Sequence, residues 1–165
     1  KRVYQPLANY FLMKLIAKSL DDTQLIAKEI ASFINQNQKF LIFYLEGNLG
    51  TGKTTLVREI LQNLGWNLPV KSPTFSILEE YNVGNLEIYH ADLYRLNNPN
   101  DFEMLGLEPN FTKRGVLFIE WPQILEGFDN VIEIKISIQM KNTDRIFEFE
   151  SDCKEFLGCI TRINI

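Results

Sequence analysis

The sequence predicts an α/β fold in three layers, with a mostly parallel central sheet, antiparallel edge strands and flanking helices. Three observations carry this. Residues 40–45 (Phe-Leu-Ile-Phe-Tyr-Leu) and 116–119 (Val-Leu-Phe-Ile) are apolar throughout, as strands covered on both faces read. Apolar residues at helical spacing lie beside the first run. Near the C-terminus, residues 131–139 and 145–150 alternate strictly, the pattern of antiparallel strands with one face in water.

Ser19 is placed to cap a first helix reaching about Gln36, whose stripe is Ile26, Ile30, Phe33 and Ile34. The apolar strand at 40–45 follows. A second helix runs to about Leu64, with Val57, Ile60, Leu61 and Leu64 on its buried side and Gly65 as its stop. Residues 76–83 and 86–91 are strand-like and are joined by Gly84-Asn85, a hairpin signal because Gly supplies positive φ at little cost. Residues 99–105 read as a short helix with Pro99 in its first turn. The strand at 116–119 ends at Glu120. In the first alternating run Ile132, Ile134, Ile136 and Ile138 share a face, and in the second Phe147 and Phe149 do. These two strands are expected to pair antiparallel at a sheet edge. Residues 152–160 close the chain as a short helix.

With 165 residues, the chain suits one domain with a sizeable core. The organised pattern begins just after Met13, so residues 1–12 are set aside as an extension and 13–165 are taken as the domain. A net charge of −4 and a pI near 5.1 argue against a stand-alone nucleic-acid binder, which normally shows a basic face. No apolar run approaches the roughly 20 residues that cross a bilayer, and the N-terminus lacks the apolar core of a signal peptide. Cys153 and Cys159, without a CxxC pattern, suit reduced thiols. A cytoplasmic location is expected.

Residues 47–54, Gly-Asn-Leu-Gly-Thr-Gly-Lys-Thr, fit the phosphate-binding pattern G-x-x-x-x-G-K-[ST] between a strand and a helix. Its glycines let the backbone close around phosphates, so that N–H groups of Asn48, Leu49, Gly50, Thr51, Gly52, Lys53, Thr54 and Thr55 point inward. The helix that follows adds the positive end of its dipole. Lys53 is placed to reach the β and γ phosphates, and the Thr54 hydroxyl to bind Mg²⁺. Such a site needs an acid at the end of a neighbouring strand. Glu120 ends the apolar strand, the more typical setting, and Asp92 ends a half-apolar one; the alternative makes either a solvated carboxylate. Lys71-Ser72-Pro73-Thr74 is a turn, or a segment whose Thr74 senses the γ phosphate. His90, the single histidine, reads as a packed strand residue, and Trp121 as packing or function equally.

These pieces occur in one order: the loop to Thr55, Ser72-Pro73-Thr74-Phe75, His90-Ala-Asp92-Leu-Tyr94-Arg95 and Ile119-Glu120-Trp121-Pro122. Together they resemble the TsaE (YjeE) family, the P-loop ATPases of bacterial tRNA threonylcarbamoyladenosine biosynthesis, over residues 14 to 150. The resemblance implies the P-loop NTPase fold and an Mg²⁺-dependent ATPase that assists the modification rather than performing it. It also implies docking on a TsaD and TsaB pair that carries out the transfer and holds the tRNA, with hydrolysis resetting that complex. It assigns Thr74 as the switch-like threonine, Asp92 as the acid of H-x-D-x-Y-R, Glu120 as the metal-side acid and Trp121 as the tryptophan beside the nucleotide. Gln123-Ile124 departs from the charged pair common after Trp-Pro, and Thr51 stands where Ala is commoner.

Two other classes compete. A small-molecule kinase of this size usually carries an arginine-rich lid, whereas Arg2, Arg58, Arg95, Arg114, Arg145 and Arg162 are scattered. A nucleotide switch with negligible turnover is the second; no Asn-Lys-x-Asp specifies guanine, which favours ATP. Catalytic roles fall to Lys53 with Asp92 or Glu120, and metal binding to Thr54 and Glu120.

Overall fold

Along the chain come β1 (Phe11–Ala17), α1 (Leu20–Gln36), β2 (Leu41–Glu46), α2 (Lys53–Leu64), β3 (Leu78–Val83), β4 (Leu86–Asp92), α3 (Pro99–Glu103), β5 (Gly115–Glu120), β6 (Ile132–Lys141), β7 (Asp144–Ser151) and α4 (Lys154–Thr161). They belong to a computed structural model that describes residues 11–73, 76–104, 111–122, 128 and 130–165. All seven strands form one sheet in the order β1-β7-β6-β2-β5-β4-β3. Its centre is parallel: β2 runs with β5 and with β6, and β4 runs with β5. Antiparallel partners flank this centre, β3 on β4 at one side and β7 on β6 at the other.

Local chemistry accounts for the boundaries. The Ser19 hydroxyl accepts the Asp22 N–H at 3.3 Å, capping α1. At the other end, Arg114 donates to the carbonyls of Ile34, Asn35 and Asn37, where a helix runs out of N–H donors for its last carbonyls. Gly65 ends α2 at φ 108 and returns its N–H to the last turn.

Alternation along β2 divides the core. Leu41, Phe43 and Leu45 turn toward α1, α2 and α4 and meet Ile30, Val57 and Phe156. Phe40, Ile42 and Tyr44 turn the other way, beneath Leu96, Phe111, Phe128 and Val131. Among the described residues, long helices cover only the first face; connecting segments cover the second.

Two expectations need correction. β6 and β7 do pair antiparallel, but neither lies at the edge. β6 is sandwiched between β2 and β7, and β1 pairs antiparallel along the outer side of β7, from Phe11 opposite Ser151 to Ala17 opposite Arg145. The sheet therefore also takes in Phe11 and Leu12, from the stretch expected to be an extension. Their side chains are exposed, and the outward Leu12 and Ile16 are as apolar as the inward Met13, Leu15 and Ala17, so no apolar–polar alternation announces the strand. The helix expected over residues 99–105 ends at Glu103, and Leu105 lies outside the described residues.

Candidate nucleotide and metal site

Parallel pairing brings three strand ends to one edge of the sheet. Leu45 of β2 is level with Glu120 of β5, and Glu120 with Asp92 of β4. Residues 47–52 leave β2 at this edge and lead straight into α2. Gly47 has φ 153, and a Cβ there would stand 2.6 Å from both the Ile138 carbonyl oxygen and Thr51 Oγ1. Only glycine lets the loop pass so close to β6. Gly50 has φ 79 and open space where a side chain would be, as a backbone that approaches a ligand requires.

Side chains converge from several elements. The Lys53 ammonium, buried, donates to the carbonyls of Gly47 at 2.6 Å and Asn48 at 3.1 Å. It also lies 4.6 Å from the centre of the Trp121 ring, a favourable place for a cation. Burial pushes the Lys53 ammonium below its usual range, and the charges of Glu120 and Asp92 oppose that fall. The Thr54 hydroxyl sits 3.3 and 3.2 Å from the two carboxylate oxygens of Glu120, itself buried. Asp92 accepts the Tyr94 N–H at 3.0 Å. Burial pushes the Asp92 carboxyl up, the Tyr94 hydrogen bond pulls it down, and neighbouring Glu120 adds to the rise. Trp121 holds a positive φ of 58, uncommon for a bulky residue, and packs on Tyr94.

A cavity of about 610 Å³ opens beside the loop, between residues 47–49, the Trp121 ring and residues 137–140 of β6. Its size suits a small-molecule ligand. Among the described residues no three His, Cys, Asp or Glu side chains gather into a ready-made metal cage. Mg²⁺ needs none, because phosphates and water fill most of its shell. A threonine hydroxyl facing a carboxylate at the loop's end is a donor set that fits it.

Of the residues singled out by sequence, the structure brings together the loop from Asn48 to Thr55 with Asp92, Glu120 and Trp121. Leu49 is exposed at the loop tip. Thr74 lies outside the described residues, as do Gln123 and Ile124. Two further side chains enter the site. The Nε2 of buried His90 lies 2.5 Å from Glu120. Arg145 of β7 donates from Nε to the Thr51 carbonyl at 3.0 Å and flanks Gly52. The i, i+2 spacing of His90 and Asp92 on one strand is a signal for the first; nothing in the sequence links Arg145 to a loop 94 residues away.

Comparison with known proteins decides the family. The model for the threonylcarbamoyl adenosine biosynthesis protein TsaE matches residues 17–147. The chain belongs to the TsaE family. It is 40% identical over 111 residues to the TsaE of Haemophilus influenzae, covering 67% of this chain and 70% of that one. The TsaE of Aquifex aeolicus is 33% identical over 138 residues, 82% of this chain and 96% of the relative. A crystal structure of Bacillus subtilis YdiB superposes with a TM-score of 0.65 at 25% identity, covering 93% of this chain and 95% of that one. TsaE proteins act in tRNA threonylcarbamoyladenosine biosynthesis, and this chain is a nucleotide-binding P-loop protein of that family. No described helix is long and apolar enough to cross a membrane.

Proposed function

We propose that this TsaE chain is an Mg²⁺-dependent ATPase of the cytoplasm and works as one ATPase domain. In this reading it is an accessory subunit of the TsaD and TsaB pair that modifies tRNA, its cycle resets that complex between turnovers, and the partners hold most of the tRNA. One observation carries the ATPase reading: the Thr54 hydroxyl at the head of α2 faces the buried Glu120 carboxylate, with Asp92 level beside it.

Main-chain N–H groups of residues 48–55 cradle the phosphates, helped by the dipole of α2. Lys53 exchanges its contacts with the Gly47 and Asn48 carbonyls for phosphate oxygens. Thr54 and Glu120 hold Mg²⁺, which when bound neutralises charge that builds on the phosphates. Glu120 is engaged by Thr54 and His90, which leaves Asp92 to orient the attacking water and take its proton. An Asp92 carboxyl held above its ordinary range suits that task. Thr74 senses the γ phosphate, and the Trp121 ring lines the cavity where the nucleoside lies.

ATP turnover measured with and without the partner pair tests this. The isolated chain is expected to turn over slowly and to accelerate on mixing, and Lys53→Ala to abolish hydrolysis while remaining folded. No acceleration on mixing refutes the accessory role. Binding without any turnover refutes the ATPase and leaves a nucleotide-dependent switch.

A further inference from the structure

His90 is fully buried on β4. Alternation places it on the same face of the sheet as Leu86 and Ile88, whose side chains pack in the core under α1 and α2. It pairs with Phe118 of β5, so Glu120, two residues further on, lies diagonally ahead of it on that face. The contact between His90 Nε2 and Glu120 Oε2 measures 2.5 Å. Its other ring nitrogen, Nδ1, is buried with no hydrogen-bond partner among the described residues.

One tautomer accounts for both nitrogens. With its proton on Nε2, a neutral ring donates to the carboxylate and leaves at Nδ1 only a lone pair, rather than a stranded N–H. Glu120 is then gripped from two sides, by a ring behind it and the Thr54 hydroxyl in front. A free glutamate side chain samples several rotamers, and fixing one of them ahead of binding removes an entropic cost. We propose that His90 is the positioning residue of Glu120, setting the carboxylate for Mg²⁺ without touching metal or nucleotide. This rests on the Mg²⁺-nucleotide reading above. A partner that orients a metal ligand typically governs about 10–100-fold of metal affinity.

The test uses two amide variants of different reach. His90→Gln carries an N–H₂ near the place of imidazole Nε2, whereas the amide of His90→Asn stops about where Nδ1 stood. Affinity for a non-hydrolysable ATP analogue is measured in excess Mg²⁺ and in EDTA, and the ratio is the readout. His90→Asn is expected to lower the Mg²⁺-dependent ratio about tenfold while affinity in EDTA stays within twofold, and His90→Gln to retain most of the ratio. A merely packing role would move both affinities together and treat the two amides alike. An unchanged ratio in His90→Asn, or equal losses in both variants, overturns the proposal. A wild-type ratio of one refutes the Mg²⁺ reading itself, and this inference with it. Because His90 is the chain's single histidine, an imidazole ¹⁵N spectrum of the unmodified protein gives a second measurement independent of how the variants fold. A proton on Nε2 is expected, and a bare Nε2 overturns the assignment.

Discussion

Replacing Gly47 by alanine tests a close backbone approach at the head of the loop. The new Cβ would stand 2.6 Å from the Ile138 carbonyl oxygen and from Thr51 Oγ1, about 0.8 Å inside the 3.4 Å at which ordinary contact begins. Neither neighbour yields easily. Ile138 lies in β6, which is hydrogen-bonded on both sides, to β2 and β7. Thr51 Oγ1 is held by the Asn48 carbonyl at 2.9 Å. Overpacking of this kind costs about 1–3 kcal/mol, and a positive φ forced on a residue with a Cβ adds about 1–2 kcal/mol. The sum is large beside a typical folding stability of about 5–15 kcal/mol. Gly50→Ala is the internal control, because it meets nothing within 4 Å and bears only the strain of φ 79. Thermal unfolding is expected to fall by roughly 4–20 °C for Gly47→Ala and by roughly 2–8 °C for Gly50→Ala, at about 2–4 °C per kcal/mol for this chain length. Affinity of Gly47→Ala for an ATP analogue should drop about tenfold or more, since the loop must lift away from β6 to relieve the overlap. If Gly47→Ala melts within about 2 °C of Gly50→Ala and binds like wild type, the reasoning from contact distance is refuted.

Asp92→Asn should cut ATP turnover about a hundredfold or more while binding persists. Its stability effect has a definite sign. Burial raises the Asp92 pKa in the folded chain, so the stability it contributes is present at low pH and is lost as pH rises through the folded pKa. At neutral pH the ionised carboxylate is a burden, and the amide should melt higher than wild type at pH 8, with the gap closing toward pH 4. A lower melting temperature at pH 8 would count against the burial argument. Arg114→Met removes three hydrogen bonds to the carbonyls ending α1 and one to Asn85. Urea unfolding should show a loss of about 1–3 kcal/mol with ATP-analogue affinity unchanged, and an unchanged midpoint would refute the capping role.

Legibility in the sequence followed how local each constraint is. The loop, α1, α2, β2 and β5 were readable because glycine conformation, capping and double-sided burial are written within a few residues. Position in the sheet was not. β1 owes its place to β7, more than 120 residues further on, and its outward face carries Leu12 and Ile16 in alternation with the inward Met13, Leu15 and Ala17, so the sequence shows no apolar–polar alternation there. The same limit hid the contact between His90 and Glu120. Each residue sits on a recognisable strand, but only the parallel register of β4 against β5 sets them diagonally adjacent. Arg145 reaches Thr51 only because β7 folds back beside β6.

The shared face of His90, Asp92 and Glu120 ties the reactive end of the sheet to its core. These residues occupy the same alternation as Leu86 and Ile88 on β4 and as Val116 and Phe118 on β5, side chains that fill the core under α1 and α2. A one-residue slip of either strand would turn its hydrophobic set and its polar terminus over together. Neither could change without the other, so the framework that excludes water from the interior also fixes which way the acids point. Drift in the site is thereby confined to exchanges of side chain at constant register, and insertions are left to the loops beyond Asp92 and Glu120.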